Sequence, residues 1–108
     1  MTSLSTHVLD TERGTPAVGL RVSLYRGDDR LAQSRTGDTG RIADLGGGAL
    51  EPAVYRLVFE VAEYLQAQGR AAPFLQTVSL EFQIEAEQAH YHVPLLMTAY
   101  ACTSYRGS

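Results

Sequence analysis

The sequence predicts a mainly β fold, a β-sandwich of seven to eight short strands with one short helix. Three observations carry this prediction. Apolar residues recur at a period of two in several separate stretches, the pattern of half-buried strands. Segments rich in Gly and Asp punctuate those stretches at short intervals, as turns do. Only one segment has the three- and four-residue spacing of a helix, and it follows the middle strands. Residues 1–108 read as a single domain, with no internal repeat and no low-complexity segment.

In chain order, residues 4–9 form a first strand, and Arg13-Gly14-Thr15-Pro16 breaks it from the next. Over residues 19–26 the alternation is clean. Leu20, Val22 and Leu24 face one way, and Arg21, Ser23 and Tyr25 the other. Gly27-Asp28-Asp29 is a turn, so residues 31–35 return as the second arm of a hairpin. Another turn at residues 37–40 leads into the short run 41–45, and the glycines at 46–48 make a flexible loop. Residues 53–59 hold Val54, Tyr55, Leu57, Val58 and Phe59, enough β-formers for a central strand.

The helix is expected over residues 61–68. Ala62 and Leu65, with Val61, share its buried face, and Gly69 stands where a C-terminal cap belongs. Residues 74–84 return to alternation, with Val78, Leu80, Phe82 and Ile84 inward. Two strands close the chain, 92–98 and 100–105, and Pro94 predicts that the first is locally irregular or at an edge.

Composition narrows the function classes. An apolar fraction of 44% and a charged fraction of 19% suit a soluble globular domain and exclude a disordered chain. At this size about a third of the unfolded chain's surface stays exposed, so pairing of subunits is a natural way to bury more. Net charge is -3, and the nine basic residues, all arginine, are scattered among twelve acidic ones. No basic patch forms, which argues against a nucleic-acid partner. Cys102 is the only cysteine, so an intramolecular disulfide is impossible and a reducing compartment is consistent. The first residues lack the basic start and apolar run of a secretory signal, and no stretch approaches the ~20 apolar residues that span a bilayer. A cytoplasmic location without a membrane partner is expected.

Few residues offer chemistry. There are three histidines: His7 in the first strand, and His90 and His92 either side of Tyr91, on one face if Tyr91 lies in a strand. Each could be a general base near neutral pH or a hydrogen-bonded surface residue. A metal site is disfavoured, because His-x-His supplies two nitrogens, no third ligand lies in the segment, and a closed zinc site wants four. Arg41 follows a turn and opens a strand, where a guanidinium projects into a cleft or into solvent. Nothing in the spacing activates Cys102, so it is expected to be buried or idle. The last residues follow directly on an apolar strand and are expected to pack rather than fray.

Three separated segments carry a resemblance. They are Leu4-Ser5-Thr6-His7-Val8-Leu9-Asp10-Thr11 with Gly14 and Pro16, then Thr39-Gly40-Arg41, then His90-Tyr91-His92-Val93-Pro94-Leu95-Leu96 with the ending Tyr105-Arg106-Gly107-Ser108. Together they resemble the 5-hydroxyisourate hydrolases of the transthyretin-related group. Val54-Tyr55-Arg56-Leu57, Phe59 and Tyr64-Leu65 fit the same pattern, so the resemblance runs the length of the chain. The Tyr-Arg-Gly-Ser ending is its most specific piece, since transthyretin carriers share the fold and lack it. Departures are Ala99 in place of a frequent proline, Cys102 in place of a frequent aromatic, and Ala72-Pro73-Phe74-Leu75 in place of a more aromatic stretch. They bear on the tail and one loop, not on the site residues.

The resemblance implies a transthyretin-like sandwich that hydrolyses 5-hydroxyisourate to 2-oxo-4-hydroxy-4-carboxy-5-ureidoimidazoline in urate degradation. It implies His7, Arg41 and His92 as catalytic residues, and His7, Arg41, Tyr105, Arg106 and Ser108 as substrate-binding residues. His92 or His7 is the base and the other its orienting partner; His90 does not occupy the matching slot. It further implies no metal or organic cofactor, and a homotetramer with sites in a channel between dimers. The alternative from the same resemblance is a carrier that holds a small aromatic ligand without chemistry.

Overall fold

Strand β1 (Ser3–Asp10) forms where the alternation is strictest, and it organises the rest. Leu4, Thr6, Val8 and Asp10 are buried, while Ser3, Ser5, His7 and Leu9 are half-buried on the opposite face. The computed structural model describes residues 1–108. After β1 come β2 (Thr15–Pro16), β3 (Arg21–Arg26), β4 (Asp29–Arg35), β5 (Arg41–Ile42) and β6 (Ala53–Phe59). Helix α1 (Val61–Ala67) precedes β7 (Val78–Ile84), β8 (His90–Met97) and β9 (Cys102–Ser104). One sheet has the order β2-β1-β8-β9, with β5 also pairing β1, and the other has the order β4-β3-β6-β7. All pairs are antiparallel except β1 with β8, which run parallel in register from Ser3↔His90 to Asp10↔Met97.

Leu4, Val8, Leu95 and Met97 from the first sheet join Val22, Leu24, Leu57 and Phe59 from the second in one continuous core. Burying a side chain of this size stabilises by ~1.5–3 kcal/mol, so these positions hold the sheets together. The expected β-sandwich with one short helix is therefore the fold.

Several local expectations change. The helix buries Val61, Tyr64 and Leu65, not Ala62, because the Tyr64 hydroxyl finds an inward acceptor. Its C-terminus closes as expected around Gly69: Gly69 N–H donates to Gln66 O and Arg70 N–H to Leu65 O, both at 3.0 Å. The strand expected over 74–84 begins only at Val78. Before it, Leu75 N–H donates to Ala99 O (3.1 Å) and Gln76 O accepts from Ala62 N–H (2.9 Å), so this segment fastens the helix to the tail turn. The run 41–45 forms just two strand residues. Pro94 is not on an edge strand, since β8 lies between β1 and β9. Irregularity is present nonetheless: β9 pairing ends at Leu95↔Ser104 and resumes beyond Pro94 as an isolated bridge, His92↔Gly107. Cys102 is exposed rather than buried. No helix is long and apolar enough to cross a membrane.

The inner face of β1 ends in a fully buried carboxylate. Asp10 Oδ2 accepts from Tyr64 Oη (2.8 Å) and from Arg70 Nη1, and Oδ1 accepts from Arg13 N–H (3.3 Å). Burial alone would raise the Asp10 pKa, but the Arg70 and Tyr64 hydrogen bonds outweigh it and the net shift is downward.

Candidate active site

The outer face of β1 carries the histidine chemistry. His7 is opposite Arg41 on β5 and opposite Pro94 on β8. His92 is opposite Ser5, two residues along β1 from His7, which makes the histidines diagonal neighbours separated by roughly 8 Å of sheet. Three strands thus bring His7, Arg41 and His92 to one face.

Two glycines permit this approach. Gly40 has φ +80° and lies against β1, where an added Cβ would meet Val8 O at 2.5 Å. Its carbonyl accepts from Val8 N–H at 2.8 Å, which seats Arg41 beside His7. Gly107 brings the tail against His92: its N–H donates to His92 O at 2.7 Å, and an added Cβ would lie 2.6 Å from His92 Cδ2. The tail is held in place at Gly107 rather than frayed, although Tyr105, Arg106 and Ser108 stay exposed.

Each imidazole has defined partners. His7 Nε2 is 2.9 Å from Thr39 O; a carbonyl only accepts, so the proton sits on Nε2. His92 Nδ1 is 2.7 Å from Ser5 Oγ, which also meets His90 Nε2 at 2.8 Å. His92 Nε2 makes no hydrogen bond, and the Arg41 guanidinium has neither a hydrogen bond nor an ion pair. The His92 pKa is lowered, first by burial and then by the Arg41 charge, with smaller contributions from His7 and His90. Lowering keeps the ring neutral and able to accept a proton.

A cavity of about 460 Å³ opens beside His92, lined by Gln88, His90, His92, Arg106, Gly107 and Ser108, with no apolar residue among them. Its size falls within the range of small-molecule sites. Of the sequence-predicted residues, His92, Arg106 and Ser108 meet in this cavity; His7 and Arg41 lie on the same sheet face but are not among its lining residues. The Arg106 guanidinium lies 4.4 Å over the Tyr91 ring and donates to Gln88 Oε1 at 3.0 Å. Tyr105 does not join them. It is 58% exposed and lines a separate cleft of about 270 Å³ at the open edge of the sandwich, where Leu80 and Phe82 of β7 offer apolar surface. Sequence reading passed over Ser3 and Ser5 and gave His90 no role in the site. Their signal was the period of two, which puts both serines on the His7 face.

Fold and site together define a transthyretin-like sandwich with an imidazole- and guanidinium-bearing outer sheet face. Residues 4–107 match the HIUase/Transthyretin family model. The chain belongs to that family. It is 44% identical to the 5-hydroxyisourate hydrolase of Deinococcus radiodurans over 113 residues, covering 97% of this chain and 95% of the relative. The structure of Klebsiella pneumoniae 5-hydroxyisourate hydrolase superposes with a TM-score of 0.92 at 38% identity, covering all of both chains. Sea bream transthyretin in complex with thyroxine superposes at 0.85 with 27% identity, covering 96% of this chain and 93% of that one.

Proposed function

We propose that this chain is a 5-hydroxyisourate hydrolase of urate degradation, with His92 as general base and Arg41 as stabiliser of the developing anion. One observation carries the assignment of roles. His92 has its Nδ1 engaged and its Nε2 unbonded, on the same face as a guanidinium with no partner of its own. In His7 the engaged nitrogen is Nε2, the one farther from the backbone, so His7 serves as the orienting partner.

The reaction runs from these positions. Water loses a proton to His92 Nε2 as its oxygen bonds to the ring carbonyl carbon of the substrate. The carbonyl electron pair moves onto oxygen, where the planar Arg41 fork donates hydrogen bonds to the charge. Collapse breaks the ring C–N bond, and His92 returns the proton to the departing nitrogen. One water is consumed, and the product is 2-oxo-4-hydroxy-4-carboxy-5-ureidoimidazoline. A positioned base contributes ~100- to 10,000-fold. Arg106 and Ser108 line the substrate cavity, and the polar lining suits an oxygen-rich planar ring. The route uses no metal or organic cofactor.

A homotetramer with sites between dimers belongs to the same proposal. Its support is the open site face on one sheet and the unpaired outer edges of β7 and β9. Light scattering should give a mass four times that of the chain; a monomer would remove the channel.

The test is the ultraviolet decay of 5-hydroxyisourate generated in situ from urate. Catalytic amounts of the protein should accelerate it, and His7→Ala and Arg41→Ala should abolish the acceleration. No acceleration by folded protein would move the chain to the carriers.

A further inference from the structure

We propose that His90 is a positioning residue which, acting through Ser5, decides which ring nitrogen of His92 is free. The catalytic consequence rests on the hydrolase reading above; the tautomer itself does not.

The inference follows from a chain of four hydrogen bonds with a fixed end. That end is the Ala89 carbonyl, which can only accept. Ser3 N–H donates to it at 3.0 Å and the Ser3 hydroxyl at 3.4 Å. A hydroxyl has one proton, so Ser3 Oγ must then accept from its other partner, His90 Nδ1. Neutral imidazole protonated on Nδ1 is bare on Nε2. His90 Nε2 therefore accepts the Ser5 hydroxyl proton at 2.8 Å. With that proton committed, Ser5 Oγ accepts from His92 Nδ1–H at 2.7 Å. His92 is left with a bare Nε2, the form a general base requires.

Reversing the chain breaks one bond. Ser3 would turn its proton to His90 Nδ1 and abandon the Ala89 carbonyl, and the last link would leave His92 protonated on Nε2, a donor in place of a base. The bond lost is the long one, Ser3 Oγ to the Ala89 carbonyl at 3.4 Å. The ~1 kcal/mol net of an ordinary hydrogen bond is therefore its ceiling, and the bias toward the productive tautomer is at most about fivefold. His90 is the only member with two nitrogens in the chain, and it relays the polarity from carbonyl to base. It is exposed, so replacing it leaves the core untouched.

Long-range proton–nitrogen spectra of protein labelled at its histidine nitrogens, taken at about pH 8 where imidazole is neutral, read each tautomer directly. Wild type should show Nδ1–H for His92 and His90 and Nε2–H for His7. In His90→Phe, which keeps a ring and loses both nitrogens, His92 should shift toward Nε2–H. The productive fraction then falls from about five-sixths toward one-half, so kcat should drop by up to about twofold, in step with the tautomer shift in the spectra. His90→Gln offers an amide oxygen near the Nε2 position and should restore both the spectrum and kcat. A melting curve like that of wild type establishes folding in each variant. An Nε2–H tautomer for His92 in wild type, or an unchanged His92 in His90→Phe, overturns the proposal. Because the spectra need no substrate, they stand or fall separately from the hydrolase reading.

Discussion

Strand β1 carries a polar cluster at each end, and the two are built on opposite rules. At its C-terminal end Asp10 faces inward, and every polar atom there is spent on another: Tyr64, Arg70 and the Arg13 amide all converge on one carboxylate. At the other end Ser3, Ser5 and His7 face outward, and the cluster they join is incomplete by design. Its hydrogen bonds run in one direction and stop at His92 Nε2, and Arg41, which pairs with His7 on the other side of β1, binds nothing. The closed cluster suits stability, because an unpaired charge in the core is costly. The open cluster suits chemistry, because its uncommitted groups await a substrate.

The sharpest way to break this contrast is to remove the free end of the open cluster. His92→Ala should cost about 100- to 10,000-fold in turnover while fold and oligomer persist. Wild-type turnover in that variant, followed by the same ultraviolet decay, would take His92 out of the mechanism.

The closed cluster should respond in the opposite sense. Arg70→Ala leaves Asp10 buried with only two of its donors. Because the Arg70 side chain is partly exposed at 23%, the cost falls below that of a fully buried pair, at about 2 kcal/mol, or roughly 10 °C in Tm. Turnover per folded molecule should not change. The acid side gives the sign. Asp10 has a folded pKa below its ordinary 3.8, so its stabilisation is present above 3.8 and lost as pH falls through the lower folded value. Without Arg70 that loss moves to higher pH. Equal acid unfolding profiles for the two proteins would show that the cluster is not holding the carboxylate.

How much of this was legible differs between the clusters. The outward period of Ser3, Ser5 and His7 is visible in the sequence, and the pairing of His90 with His92 on one face follows from their spacing. What joins them is the parallel register Ser5↔His92, across a sequence separation of 87, and no local pattern encodes it. The roles of Arg41 and His92 came from resemblance, not from spacing. Tyr64 was not named on the buried helix face because helical periodicity ranks residues by apolarity, and a phenol that buries its ring to reach Asp10 escapes that ranking. The interior place of Pro94 is legible only once the His92–Gly107 bridge is known.

Gly107 tests how finely the open cluster is placed. A methyl group 2.6 Å from His92 Cδ2 must displace either the ring or the tail. Gly107→Ala should therefore lower turnover by about 10- to 100-fold, the cost of misplacing a reacting group by about an ångström. Tm should stay close to that of wild type, since the core is not involved. A matching loss of stability and activity would instead mean that the tail is part of the fold's foundation.

The smallest effect concerns charge alone. A protonated His92 cannot accept a proton from water, so turnover falls as pH drops through its pKa. In wild type that acid limb lies below 6.5, because burial and then the Arg41 charge disfavour the imidazolium. Arg41→Gln removes the charge and keeps planar donors, so the residual turnover should show its limb displaced upward in pH. The level of turnover will fall as well, but only the position of the limb reports the electrostatic coupling. A limb that stays where it was would leave Arg41 with the substrate as its sole concern, and burial alone would account for the His92 shift.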